Sequence, residues 1–83
     1  MTLIRYAIPD RDRERRPHRS TLKIYNIAGQ EVKTLVDEEQ APGYYSVSWD
    51  GRDGLGKEVS SGIYFYRLHA GSYYEIRKMV LLK

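Results

Sequence analysis

The chain has no cysteine, which excludes disulfide staples, thiolate zinc sites and thiol nucleophiles together. Histidine is almost as scarce. His18 and His69 are the only two, and neither sits in an H-x-x-x-H or H-E-x-x-H spacing that would grip a metal. No apolar run approaches the roughly 18–20 residues of a membrane-spanning helix. The opening MTLIRYAIPD lacks a basic stretch followed by an apolar core, so it does not read as a signal peptide. If the protein is exported, the signal belongs to a longer chain. Phenylalanine and tryptophan occur once each, whereas tyrosine occurs eight times.

With 83 residues the sequence predicts a single domain, 1–83. A domain this small buries about 60–65% of its extended-chain surface and needs an efficient core. The tyrosines and Trp49 can supply one, because each aromatic ring buries a large area. The formal net charge is +3, and its placement matters more than its size. Asp10 to Arg19 (DRDRERRPHR) carries five arginines against three acids, while the rest of the chain is nearly neutral. Basic groups interleaved with acids in one short stretch do not make the basic face of a nucleic-acid binder. The segment 10–20 is expected to be a solvated, charged loop, and no nucleic-acid partner is expected.

Strand patterns alternate with turn signals along the whole chain. Ile4, Tyr6 and Ile8 share one face and Pro9 ends that run. Leu22 and Ile24 share a face of a second strand over 21–27, and Ala28-Gly29-Gln30 forms a tight turn. A third strand spans Glu31 to Asp37, although Val32, Leu35 and Val36 also fit a helical turn. Pro42-Gly43 marks the next break. Tyr45, Val47 and Trp49 then alternate with Tyr44, Ser46 and Ser48, and Tyr64, Tyr66, Leu68 and Ala70 alternate with Ile63, Phe65, Arg67 and His69. Gly71-Ser72 reads as a two-residue hairpin turn leading to a closing strand, 73–82. About seven short strands in this spacing predict an all-β, immunoglobulin-like antiparallel β-sandwich.

The glycine-rich stretch WDGRDGLGKEVSSG raises the question of a calcium loop. An EF-hand needs acidic or amide side chains at its third and fifth positions, but counting from Asp50 these are Arg52 and Gly54. The expectation is a hairpin instead. Asp50 would accept N–H bonds across its own turn, Gly51, Gly54 and Gly56 would take left-handed conformations, and Lys57 to Ser61 would form a bulged second arm. A phosphate cradle would require a following helix, and a strand pattern follows. Ser60, His69 and Asp50 could be drawn as a triad, yet nothing resembles a nucleophile elbow. No catalytic residue, metal or cofactor is expected. Tyr25, Tyr44, Phe65, Tyr73 and Tyr74 fall opposite the core positions, and a flat row of them would suit stacking on sugars.

The string TLKIYNIAGQEVKTLV…APGYYSVSWDGRDGLGKEVSSGIYFYRLHAG…RKMVLLK resembles the C-terminal sorting domains, type A, of type IX secretion cargo. It is also similar to the Ig-like domain of flagellar hook-capping proteins. The resemblance spans residues 2–83 and rests on Tyr25-Asn26 before Gly29, Pro42-Gly43, Trp49-Asp50-Gly51, Gly62 before Tyr64, and Lys78 with the closing VLLK. It implies a non-catalytic module that directs an exported bacterial protein through the periplasm to the cell surface or beyond. The implied partners are an outer-membrane translocon with its sorting machinery and a catalytic or adhesin domain N-terminal to this one. Mapped onto this chain, the resemblance points to Gly62, Tyr64, Lys78, Val80, Leu81, Leu82 and Lys83 as the positions recognised in sorting. The chain's end at Lys83 is expected to be the natural C-terminus. Two features depart from the family pattern: the NP-type segment before the first strand is absent, and the first loop is more charged. The alternatives are an Ig-like spacer or carbohydrate-binding accessory domain beside an enzyme, and a self-associating module as in a hook cap.

Overall fold

A computed structural model describes residues 1–10 and 15–83. Six strands build it: β1 (Thr2–Ile8), β2 (His18–Asn26), β3 (Glu31–Gln40), β4 (Gly43–Trp49), β5 (Gly62–Ala70) and β6 (Tyr73–Leu81). They form two antiparallel sheets, β1-β4 and β3-β2-β5-β6, packed as an immunoglobulin-like sandwich. The predicted fold class holds, with six strands in place of about seven.

The alternation that defined the strands also defines the core. Ile4, Tyr6 and Ile8 from β1 meet Leu22, Ile24, Leu68 and Ala70 from the larger sheet, with Trp49 and Leu22 fully buried. Burying a side chain such as Leu22 is worth about 1.5–3 kcal/mol. Val32, Leu35, Tyr45 and Met79 pack against this cluster from its margins.

Three boundaries differ from the pattern, each for a local reason. First, β2 begins at His18, shortening the expected loop 10–20, of which residues 11–14 lie outside the described residues. Its inward position before Leu22 is Ser20, a polar residue that hides the alternation. Ser20 is fully buried and its hydroxyl donates to the His18 carbonyl at 3.1 Å. Second, β3 runs on to Gln40, and its pairing with β2 slips at Leu22/Lys23 and Ile24/Tyr25. Such bulges put consecutive residues on one face, which explains the poor alternation of Glu31 to Asp37 and removes the helical reading.

The third difference is the missing seventh strand. Lys57 to Ser61 forms no strand and contributes only the single bridge Arg52↔Glu58. The Asp53 carboxylate accepts the N–H groups of both Leu55 and Lys57 at 2.9 Å, and the Val59 N–H returns to the Gly51 carbonyl. The loop is thereby folded on itself and offers no extended arm to either sheet. Pro42, which is buried, and Gly43 carry the chain across from β3 in one sheet to β4 in the other.

Candidate functional site

Trp49 ends β4 and anchors the glycine-rich loop. Its indole N–H donates to the Arg52 carbonyl at 2.9 Å, so the loop folds back over the ring that seals the core. Tyr64 meets that ring edge-on, with centroids 5.2 Å apart. The Tyr64 hydroxyl donates to the Ser60 carbonyl four residues upstream at 2.7 Å, which is the tyrosine corner of immunoglobulin-like domains.

Both loop aspartates are committed to the backbone. Asp50 accepts the Arg52 N–H at 3.0 Å and lies 3.5 Å from Lys33 Nζ. Desolvation raises its pKa, but the Arg52 N–H and Lys33 outweigh that and leave it below the usual carboxylate value. Asp53 closes the turn described above. Gly51 and Gly56 take positive φ, but Gly54 does not; its N–H instead ties the loop to β3 through the Val32 carbonyl at 2.9 Å. The stretch is a self-bonded structural loop without the expected second arm, and Gly54 cross-links it to β3. Ser60, His69 and Asp50 have separate duties. The Ser60 carbonyl holds the tyrosine corner, and His69 packs on Tyr74 at the outer face of β5.

The residues mapped for sorting fall into two groups. Gly62 opens β5, Tyr64 is buried against Trp49, and Leu81 is buried beside Gly51. Lys78, Val80, Leu82 and Lys83 are exposed along and just after β6. β6 is one of the two edge strands of its sheet, β3 being the other, and the chain just past it is tied down where the Lys83 N–H donates to Ser61 Oγ at 3.1 Å. Of the turn motifs, Gly29 follows Asn26, whose side-chain oxygen accepts the Ala28 and Gln30 N–H groups.

The aromatics expected in one exposed row are divided between surfaces. Tyr25 and Phe65 are neighbours across β2 and β5, and Tyr74 sits near Arg67, whose guanidinium lies 5.5 Å from the ring centre. Tyr44 lies on the smaller sheet, 92% exposed. Tyr73 corrects the expectation, because it faces inward and packs against the core. Its face of β6 continues through Glu75, Arg77, Met79 and Leu81, as the pairing with Ala70, Leu68, Tyr66, Tyr64 and Gly62 requires.

That inner face holds the feature the sequence reading missed. A two-stranded sheet cannot roof all of a four-stranded one, and over β6 the inner surface stays open. A groove of about 580 Å³ results. Tyr66, Tyr73, Glu75 and Arg77 line it from the larger sheet, and Arg5, Tyr6, Tyr44 and Tyr45 from the smaller. Tyr6 and Tyr45 stack at 5.4 Å, and the Tyr6 hydroxyl donates to Gln40 Oε1 at 3.0 Å. Glu75 receives the Arg77 Nε–H and the Tyr73 hydroxyl, at 2.6 Å for the latter. These two bonds, the arginine's first, hold its carboxyl below the usual value. Burial pushes the Tyr66 hydroxyl pKa up. A sequence signal existed: Glu75 and Arg77 occupy core-side positions of a strand, where a closed sandwich would carry apolar residues.

Residues 14–73 match the family model of the FlgD Ig-like domain. No curated protein and no solved structure matches the chain.

Proposed function

The chain belongs to the FlgD Ig-like domain family, and from that premise we propose that it is a non-catalytic module serving as the C-terminal sorting and surface-attachment element of an exported bacterial protein, read by a type IX secretion translocon. The observation that carries the reading is the state of β6. It is an edge strand, paired with β5 on one side only, with Lys78 and Val80 in the open on it and Leu82 just beyond it, Val80 54% and Leu82 84% exposed. An exposed edge can be recognised by adding it to a partner's sheet, with main-chain bonds for affinity and alternate side chains for specificity. Natural folds usually blunt such edges, and this one keeps aliphatic residues on it. Gly62, Tyr64 and Leu81 act in this reading by holding the edge in place. The translocon, a cargo domain N-terminal to this one, and passage through the periplasm to the surface belong to the same proposal.

The test is a reporter with an inner-membrane export signal fused to residues 1–83, expressed in a bacterium that has the type IX system. Lys78→Glu, Val80→Ser and Leu82→Ser change only exposed positions and leave the core intact. Surface display of the parent fusion and periplasmic retention of the folded triple variant would support the reading. Periplasmic retention of both would overturn it and leave an Ig-like spacer.

A further inference from the structure

The groove between the smaller sheet and β6 carries charge of both signs, and among its described lining residues the uncommitted charge is positive. Glu75 is the only carboxylate among its described lining residues, and each of its oxygens already accepts a bond, one from Arg77 and one from Tyr73. Donors without a protein partner among the described residues are the Tyr66 hydroxyl, the Arg5 guanidinium and the terminal nitrogens of Arg77, whose side chain is 64% exposed. Arginine's planar fork suits a carboxylate, which it can hold through two parallel bonds. Beside these donors stand tyrosine rings, with Tyr44 92% exposed at the rim. Aromatic rings offer flat apolar faces of the kind a pyranose ring covers with its C–H groups, and each phenol keeps a polar end.

We infer that this groove binds an acidic oligosaccharide, a uronate-bearing chain lying along the inner face of β6. The ring faces rest on the tyrosines, a uronate carboxylate meets Arg77 and Arg5, and the Tyr66 hydroxyl donates to a sugar oxygen. An apolar polypeptide strand laid in the same place would cover the Glu75–Arg77 pair and incur the desolvation penalty of two charges. A hydrated, acceptor-rich ligand leaves that pair solvated. The site stands on the groove's geometry alone and is independent of the sorting reading.

The experiment is a two-dimensional NMR titration of the 83-residue domain with galacturonate tetramers and hexamers, run in parallel with neutral cellohexaose. The expected result is shifts clustered on β6 and at Tyr6, Tyr44, Tyr45 and Tyr66, with the uronates only, weakening as salt rises. Arg77→Gln should raise Kd at least about 10-fold, the loss of a charge-assisted contact, and Tyr66→Phe roughly 3–10-fold, the loss of one neutral hydrogen bond. Tyr44→Ala, at an exposed position where folding is not at risk, should weaken binding too. Silence at millimolar uronate overturns the assignment. Equal binding of cellohexaose overturns the acidic class, and shifts centred on Tyr25 and Phe65 overturn the groove.

Discussion

Two aromatic residues, Trp49 and Tyr64, join the core to the loop that covers it. Trp49 is fully buried, and its N–H also fixes the loop that follows it. Trp49→Ala should cost about 3–5 kcal/mol, comparable to the whole stability of a domain this size, at roughly 0.05–0.15 kcal/mol per residue. Urea melts should find the variant largely unfolded in water. Tyr64→Phe keeps the ring against Trp49 and removes only the bond to the Ser60 carbonyl. Its midpoint should fall by the equivalent of about 0.5–1.5 kcal/mol, with an unchanged slope. Glu75 makes a separate point about pH. Its folded pKa is depressed, chiefly by Arg77 and then by Tyr73. The stability it contributes is therefore fully present above the unfolded glutamate value, and is lost as pH falls through the lower folded value. Glu75→Gln should reduce the drop in urea midpoint between neutral and acid conditions. An unchanged drop would show that the acid response comes from other carboxylates.

At the scale of elements, stability should be uneven. β2 and β5 are paired on both sides and hold Leu22, Ile24 and Leu68, whereas β1 and β4 have only each other. A two-stranded ribbon is marginal by itself. Hydrogen exchange should accordingly be slowest at the β2 and β5 amides and faster across β1–β4, as expected of sub-global opening. Uniform protection in both sheets would contradict that ordering. The strands were legible wherever residues alternated cleanly, as in Ile4-Tyr6-Ile8 and Tyr45-Val47-Trp49, since a period of two leaves little choice once one face is buried. They were illegible where a buried Ser20 interrupted the apolar set or where two bulges scrambled β3. The fate of Lys57 to Ser61 was hidden as well. It depends on which backbone groups Asp53 captures, and spacing alone does not specify that.

For the whole molecule, the outline of the sandwich followed from local patterns, while the candidate groove did not. Tyr66 and Tyr73 read as core or surface positions one at a time. They line one site with Tyr6, Tyr45, Glu75 and Arg77 only because the sheets are unequal, two strands facing four. Strand count is a global property, and no window along the chain contains it.

The pairing Thr2↔Trp49 and the approach of Gly51 to Leu81 have a mechanical consequence. The start of β1 and the end of β6 lie at the same pole of the sandwich, one in each sheet. Tension drawing residues 2 and 81 apart would act across the strands at that pole. The interstrand bonds, perpendicular to the strands, would then open one after another, as in a zipper, and would not shear together. In an optical trap, the domain pulled through those two positions should yield at lower force than when pulled through residues 8 and 81, at opposite poles. A neighbour attached at that pole would transmit any load straight into the zipper.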